Sequence, residues 1–303
     1  MKRFVMRVLL FVLPLFVILC ASEYILRQVP NPYKYKYDWM QENADSVETL
    51  VIGSSHAFYG IRPEFLDGNA FNLANVSQTW MQDLFLLKYW SDRYKKLKTV
   101  ICPVSYFSFF DCAMDDAGER YRCRYYRIYM DCDLYNSLRD RLEVSDIVTA
   151  REKMSKFFRK ESADFDRLAW GMAYELSKKD MVAWNDTAEV VATVARHTAE
   201  NDYYVDYNYS SLKGIADFCR SHNIRLVLVT TPCWHSYCER LKKAQLEKMY
   251  GLMQSLQEEY GLQYFNCLED SNFSADDYYD FDHLSDVGAE KFTKMLNDAL
   301  KME

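Results

Sequence analysis

Short apolar runs alternate with amphipathic, helix-like segments along most of this chain. The runs that predict strands are residues 49–54, 70–73, 99–104, 224–231 and 263–267. Such alternation is typical of βαβ units, whose strands form a parallel sheet. The strands at 99–104 and 224–231 have uninterrupted apolar centres, as expected where helices cover both faces of the sheet. The pattern therefore predicts a three-layer α/β sandwich with a parallel sheet of about five strands.

Helical periodicity follows several of these strands. The predicted helices cover residues 78–93, 210–221, 236–260 and 286–301. Between about 107 and 207 the sequence is instead rich in charged and aromatic residues. Helix-like stretches occur at 146–158 and 164–178, and no run in this region predicts a strand as clearly as the five above. We interpret this region as a helical insertion in a domain that covers residues 47–303. It would form either a lid or acceptor platform over the carboxyl edge of the sheet, or a helical addition on one flank.

The amino terminus has the pattern of a targeting segment. Met1-Lys2-Arg3 precedes an apolar run over 4–21 that only Arg7 interrupts. Basic residues before such a run place the start in the cytoplasm and the rest of the chain outside, in the periplasm or on the cell surface. Residues 1–22 are predicted to be an uncleaved signal anchor, or a signal peptide whose removal would release a secreted protein. The polar, Pro- and Tyr-containing stretch over 23–46 is predicted to be a linker.

Composition excludes two classes of function. The net charge is −7 and no long basic run occurs, which argues against a nucleic-acid partner. The nine cysteines form no Cys-x-x-Cys pair and have no His at zinc-ligand spacing, so we expect neither a metal nor another cofactor. Disulfides and buried free thiols both remain open for them.

Two distant segments suggest one serine site. Gly53-Ser54-Ser55-His56 follows an apolar strand, which places a hydroxyl at the carboxyl edge of the sheet. Asp280 and His283 stand three residues apart just before the last predicted helix. A serine needs a base, and the base needs a carboxylate to orient it. We predict Ser55 as nucleophile, His283 as base and Asp280 as orienting group, with Asp282 as the competitor of Asp280.

These segments resemble the SGNH/GDSL hydrolase family, in which a Gly-Asp-Ser-Leu block follows the first strand and Asp-x-x-His precedes the last helix. The Gly-Ser-Ser form is similar to the envelope branch of that family, with the alginate O-acetyltransferases and D-alanyl transfer proteins. The resemblance implies a flavodoxin-like order of the strands, and it implies that Gly53 helps to form an oxyanion hole. The glycine and asparagine that usually complete it are missing, so Asn75 or a backbone amide near Ser77 is expected instead.

Two further histidines are candidates for substrate contact. His56 follows Ser55 directly, and His235 follows the strand at 224–231, again at the carboxyl edge. A histidine in either place is also compatible with a packed or surface position without chemistry.

The expected function is acyl-ester chemistry outside the membrane, on an envelope polysaccharide or glycolipid. Water as acceptor would give an esterase, and a sugar hydroxyl would give an O-acetyltransferase, with a membrane-bound acyltransferase as an expected partner. The alternative is a non-catalytic scaffold that kept the fold and lost the oxyanion hole. A secreted lipase is disfavoured because no extended apolar lid is evident.

Overall fold

A computed structural model describes residues 1–115, 118–159 and 187–301. Its centre is a five-stranded sheet in the order β2-β1-β3-β4-β5, and all four strand pairs are parallel. This is the flavodoxin-like order, with β1 and β3 adjacent at the point where the order reverses. The predicted fold class is therefore confirmed. The strands are β1 Thr49–Val51, β2 Ala70–Asn72, β3 Thr99–Pro103, β4 Arg225–Thr230 and β5 Gln263–Asn266.

The strand residues alternate between two hydrophobic cores, one on each face of the sheet. Leu50, Val100 and Leu226 contribute to the first core, which the helices around residues 32–43, 80–89, 205–221 and 243–260 cover. Val51 and Ile101, their neighbours along β1 and β3, contribute to the second core on the opposite face. Because successive side chains of a strand point to opposite faces, a run that is apolar throughout requires this three-layer arrangement.

The helices follow the predicted pattern with two differences. The predicted helix at 236–260 is divided into two, and the one predicted at 210–221 begins earlier, at Val205. The helices are α1 Lys2–Gln28, α2 Pro32–Asn43, α3 Ser55–Gly60, α4 Trp80–Tyr89, α5 Arg122–Tyr129, α6 Ile147–Arg159, α7 Thr187–His197, α8 Val205–Ser221, α9 His235–Cys238, α10 Lys243–Tyr260 and α11 Asp286–Lys301.

The amino-terminal helix α1 is long and apolar enough to span a membrane. Its 27 residues include an 18-residue window with a mean hydropathy of 2.7, and that window is not buried in the protein. Length and composition of this kind are compatible with a membrane anchor or with a signal sequence.

The polar linker expected over 23–46 is instead largely helical. The end of α1 and the whole of α2 fall in this stretch, and Asn31 caps α2 by accepting a hydrogen bond from the backbone N–H of Lys34. Met40 is fully buried in the core below β2, and the buried Lys36 donates from Nζ to the carbonyl of Ala74. The linker prediction was wrong because apolar contacts made by a few residues of a polar stretch override its average polarity.

The predicted insertion is helical where the structure describes it. Helix α6 matches the helix-like stretch at 146–158, whereas the one at 164–178 lies outside the described residues. Helix α7 ends at His197, whose ring packs against Phe107 with the ring centroids 4.5 Å apart. The end of α7 therefore reaches the carboxyl edge of the sheet, while α6 packs against α1.

A short loop before α11 is held from both sides. An antiparallel bridge joins Tyr278 to Leu284, and the backbone N–H of Ser285 donates to the carbonyl of Asp277 at 2.9 Å. Gly288, in the first turn of α11, lies against the same segment so closely that a Cβ atom there would be 1.8 Å from the carbonyl oxygen of Asp277. The glycine is therefore required for α11 to approach the loop.

Gly288→Ala is expected to lower the free energy of unfolding by about 2 kcal/mol or more, because backbone must move to accept the methyl group. Chemical denaturation of the full chain in detergent measures the change. The matched control is Gly251→Ala on the exposed side of α10, where nothing lies within 4 Å and where alanine should add about 0.5–1 kcal/mol. Equal stabilities of the two variants would contradict this account of the loop.

Candidate active site

The turn after β1 presents Ser55 at the carboxyl edge of the sheet. Gly53 has φ +116°, and a Cβ atom there would lie 3.1 Å from Cδ of Pro103 on β3. Only glycine combines this backbone conformation with so close an approach. Ser54 precedes α3, and Ser55 is the first residue of that helix. The sharp turn thus moves the chain from strand to helix with the Ser55 hydroxyl half-exposed.

The loop before α11 brings its base to this hydroxyl. Nε2 of His283 lies 2.9 Å from Oγ of Ser55, and Nδ1 lies 3.0 Å from both carboxylate oxygens of Asp280. A carboxylate accepts hydrogen bonds, so Nδ1 donates to Asp280, and in the neutral form of the ring the lone pair of Nε2 faces the hydroxyl. The structure therefore brings Ser55, His283 and Asp280 together in the geometry of a serine nucleophile, a base and its orienting group.

The two acidic candidates take different positions. Oδ1 of Asp280 also accepts hydrogen bonds from the backbone N–H groups of Asp282 and His283, at 3.1 and 2.8 Å. Oδ1 of Asp282 is 3.7 Å from Nδ1 of His283, which is too far for a hydrogen bond. Oδ2 of Asp282 lies instead 3.2 Å from Nε2 of His56. The geometry favours Asp280 over Asp282 as the group that orients the base.

The surroundings of His283 make it a stronger base than a free histidine. Burial lowers its pKa, but the negative charges of Asp280 and Asp282, and the hydrogen bond from Nδ1 to Asp280, outweigh burial and raise the pKa to about 9. The imidazole is thus mostly protonated at neutral pH. A general base must be neutral to accept a proton, so His283 could take that role fully only under alkaline conditions.

Asp282 is a buried carboxylate among three imidazoles. Burial would raise its pKa, yet the positive charge of His283, the hydrogen bond from His56 and the nearby His197 hold the pKa below its usual value. Nδ1 of His197 lies 3.9 Å from Asp282 and 2.8 Å from the hydroxyl of Tyr237. Burial lowers the pKa of His197 to about 4, so this ring is neutral.

The backbone of Gly53, an expected oxyanion donor, already has a partner. Its N–H donates at 2.9 Å to Oδ1 of Asp83, a fully buried residue of α4. Burial raises the pKa of Asp83 to about 7, against the hydrogen bonds from Gln78 and Gly53 that lower it. The hydrogen bond between Gly53 and Asp83 therefore stabilises the turn that carries Ser55. The Gly53 N–H is then not available to stabilise an oxyanion. The sequence analysis did not predict a role for Asp83. Its only distinguishing feature in the sequence is that it is a carboxylate in a largely apolar helix.

Other amides near the turn are candidates for oxyanion donors. Across the described residues, the backbone N–H groups of Ser55 and Ser77 donate to no protein acceptor. Ser77 has φ 60°, the left-handed region, so its backbone adopts a conformation that glycine would favour. The side chain of Asn75 is buried and its amide faces Gln78 and Met130. Of the predicted pair, Ser77 is therefore the better oxyanion candidate.

The two remaining predicted residues, His56 and His235, lie in different surroundings. His56 is buried behind the site, and both of its ring nitrogens have partners, so it offers no free donor to a substrate. His235 lies on α9 with an exposed side chain, next to Glu239 and Trp234. It lines a cavity that shares no residue with the one beside the nucleophile turn. The structure therefore does not bring His235 to the nucleophile.

A small cavity of about 30 Å³ opens beside the nucleophile turn, and Ser55 itself is not among its lining residues. Its lining combines hydroxyl and carboxyl groups with two aromatic rings. The lining residues are Gly53, Ser54, Ser77, Gln78, Thr79, Trp80, Asp83, Pro103, Phe107, Ser108 and Asp111. This mixture suits a small polar group better than a long alkyl chain.

One cluster in the described part of the chain has the residue types of a metal site. The ligand atoms of His56, Asp282 and His283 lie within 4.8 Å of one another. They are already engaged in hydrogen bonds with each other or with Ser55, Ser105 and Asp280. A cation would have to break the contact between base and nucleophile, so the cluster fits a hydrogen-bond network rather than a metal. All nine cysteines are free thiols.

Ser105 and His197 also belong to this network but were not predicted. Ser105 follows β3, at the same sheet edge as Ser55, and this position was its only signal in the sequence. His197 comes from the region interpreted as an insertion, where nothing in the sequence indicated its approach to Asp282.

Comparisons with known proteins give a limited picture. No protein-family model and no curated protein matches the chain. Among solved structures, it is similar to a GDSL-like lipase from Bacteroides thetaiotaomicron, with a TM-score of 0.40, 13% identity, and coverage of 90% of this chain and 99% of that one. It is also similar to a Streptococcus pneumonia protein provisionally described as a platelet activating factor, with a TM-score of 0.41, 13% identity, and coverage of 96% and 98%.

Asp280→Asn and Asp282→Asn are each expected to lower the pKa of His283 from about 9 toward the ordinary 6.5, because each removes a negative charge beside the ring. NMR titration of the ¹⁵N-histidine-labelled chain measures this pKa. The signal of the exposed His235 is the internal control and should titrate unchanged. A pKa of His283 that stays at its parent value in both variants would contradict the electrostatic account.

Proposed function

We propose that this protein is a serine acyl-esterase or O-acyltransferase that acts on acetyl or similarly small acyl groups. The observation that carries the proposal is the hydrogen bond of 2.9 Å between Nε2 of His283 and Oγ of Ser55, in a ring oriented by Asp280. A hydroxyl is a poor nucleophile at neutral pH, and this arrangement supplies the base that activates it.

The reaction proceeds in two halves. Ser55 attacks the ester carbonyl carbon while His283 accepts its proton, and the N–H groups of Ser55 and Ser77 stabilise the resulting oxyanion. The intermediate then collapses, the alcohol leaves with the proton from His283, and an acyl-Ser55 ester remains. In the second half His283 deprotonates the acceptor, which attacks the acyl-enzyme and releases Ser55. Water as acceptor gives hydrolysis, and a sugar hydroxyl gives transfer.

The cavity and the amino-terminal helix support the proposed substrate class. Hydroxyl and carboxyl groups beside aromatic rings are suited to hydroxyl-rich ligands, and the lining offers no long apolar channel among its residues. Helix α1 is compatible with attachment to a membrane. Together they support an O-acylated envelope polysaccharide or glycolipid, with the domain on the outer side of the membrane. A membrane-bound acyltransferase would be the natural source of acyl groups for transfer.

One observation favours a second candidate, a non-catalytic scaffold in envelope glycan modification. The Gly53 N–H is occupied by Asp83 and the Asn75 amide faces away, so the oxyanion hole would have two backbone donors. Loss of one donor typically lowers turnover about 10²- to 10³-fold. In this alternative Ser55 and His283 are a remnant without turnover.

Ser55→Ala and His283→Ala are each expected to lower kcat/KM for p-nitrophenyl acetate at least about 10³-fold, because each removes part of one catalytic unit. The release of p-nitrophenol by the full chain in detergent measures this. Ser54→Ala is the matched control and should keep activity within about tenfold, since Ser55 is the serine that contacts His283. If the parent protein is no more active than Ser55→Ala, the result would support the non-catalytic scaffold instead.

The pH dependence of this activity should follow the protonation of His283. With a pKa of about 9, the fraction of His283 in its neutral form increases about tenfold per pH unit below that value. We expect kcat/KM to rise from pH 6 to about pH 9 and then level off. Initial rates across this range, corrected for spontaneous hydrolysis, give the profile. A plateau that begins near pH 6.5 would show that the base is an ordinary histidine.

A further inference from the structure

A second chain of hydrogen bonds lies behind the catalytic one. Oγ of Ser105 is 2.7 Å from Nδ1 of His56, and Nε2 of His56 is 3.2 Å from Oδ2 of Asp282. It repeats the serine, histidine and carboxylate order of the half-exposed site. The three residues are only 1%, 4% and 4% exposed, so no ester reaches Ser105. The second chain therefore acts through its neighbours rather than on a substrate.

Asp282 sets the direction of the hydrogen bond at its end of this chain. The ionised Asp282 can only accept, so Nε2 of His56 donates to it. Nδ1, on the other side of the ring, is hydrogen-bonded to the Ser105 hydroxyl. Ser105 is itself held by its backbone N–H, which donates at 2.8 Å to Oγ of Ser108. The Asp282 carboxylate is thus tied through one imidazole to the end of β3.

The hydrogen bond from His56 to Asp282 matters because two carboxylates lie near the same ring N–H of His283. Nδ1 of His283 is 3.0 Å from Asp280 and 3.7 Å from Asp282. If Asp282 moved toward His283 it would compete for that proton, and the ring would turn. Nε2 would then lose its alignment with Ser55, and a misplacement of this order can lower a rate about 10²-fold.

We propose that His56, held by Ser105, is a positioning residue that restrains Asp282, so that His283 keeps its hydrogen bond to Asp280 and stays directed at Ser55. The consequence for turnover rests on the proposed function. The titratable groups around His283 come from several elements: Asp280 and Asp282 of its own loop, His56 and Tyr59 of α3, and Arg196 and His197 of α7. Of these, the Asp282 carboxylate is tied by His56.

The test compares His56→Leu, His56→Gln and the double variant His56→Leu/Asp282→Asn in the full chain. Leucine removes the donor to Asp282, whereas the glutamine amide can replace it. We expect His56→Leu to lower kcat about 100-fold with KM changed less than about threefold, and His56→Gln to stay within about fivefold of the parent in kcat. Asp282→Asn in the leucine background removes the competing charge and should recover about tenfold of the lost kcat.

A milder pair covers the case in which His56→Leu fails to fold. Ser105→Ala removes the hydroxyl that holds His56, and Ser105→Thr keeps it. Ser105→Ala should lower kcat about tenfold and Ser105→Thr should retain more activity than alanine. Equal effects of leucine and glutamine at position 56, or no recovery by Asp282→Asn, would overturn the proposal.

A measurement that does not depend on turnover separates the proposed restraint of Asp282 from the proposed function. The imidazole N–H signal of His283, observed by NMR in the ¹⁵N-histidine-labelled chain, should shift in His56→Leu and stay at its parent position in His56→Gln. This pattern in a protein that hydrolyses no ester would retain the restraint and reject the proposed function. An unchanged His283 signal in His56→Leu would reject the restraint whatever the activity.

Discussion

The hydrogen bond between Asp280 and His283 is the interaction on which the site depends. The Asp280 carboxylate accepts from the ring and also from two backbone N–H groups of its own loop, so it orders the loop and directs the base together. That loop keeps its place because Gly288 allows α11 to pack against the backbone of Asp277. Helix packing on one face of the sheet thus determines where Nε2 points, and the turn at Gly53 brings Ser55 to meet it.

Orientation and basicity are coupled in this arrangement. The carboxylates of Asp280 and Asp282 that fix and surround His283 also raise its pKa to about 9. A base with that pKa is about 1% neutral at pH 7, so the site is well aligned but mostly protonated there. The positive charge of His283 and the hydrogen bond from His56 stabilise the Asp282 carboxylate, which would otherwise be costly to bury. The result is a compact network in which the charges of the site stabilise one another.

The sequence predicted the parts of this architecture that depend on local pattern. Apolar runs predicted the five strands and their alternation with helices predicted parallel pairing, while the Gly53 turn and the Asp280 to His283 spacing indicated the three central residues. Contacts between distant segments were not predictable. Asp83 meets Gly53 across 30 positions, and Ser105 meets His56 across 49, with no periodicity that links them. Met40 joins the core from a polar stretch for the same reason, since tertiary packing rather than local composition decides its burial.

The central claim is that His283 activates the Ser55 hydroxyl as a nucleophile, and covalent trapping tests it most directly. The full chain would be treated with a fluorophosphonate at pH 9, where about half of the base is neutral, and the modified peptide located by mass spectrometry. The account predicts a single adduct on Ser55 that forms much more slowly in His283→Ala, even if no natural acceptor is present. No adduct on a folded chain, or an adduct on Ser55 that forms equally fast without His283, would contradict it.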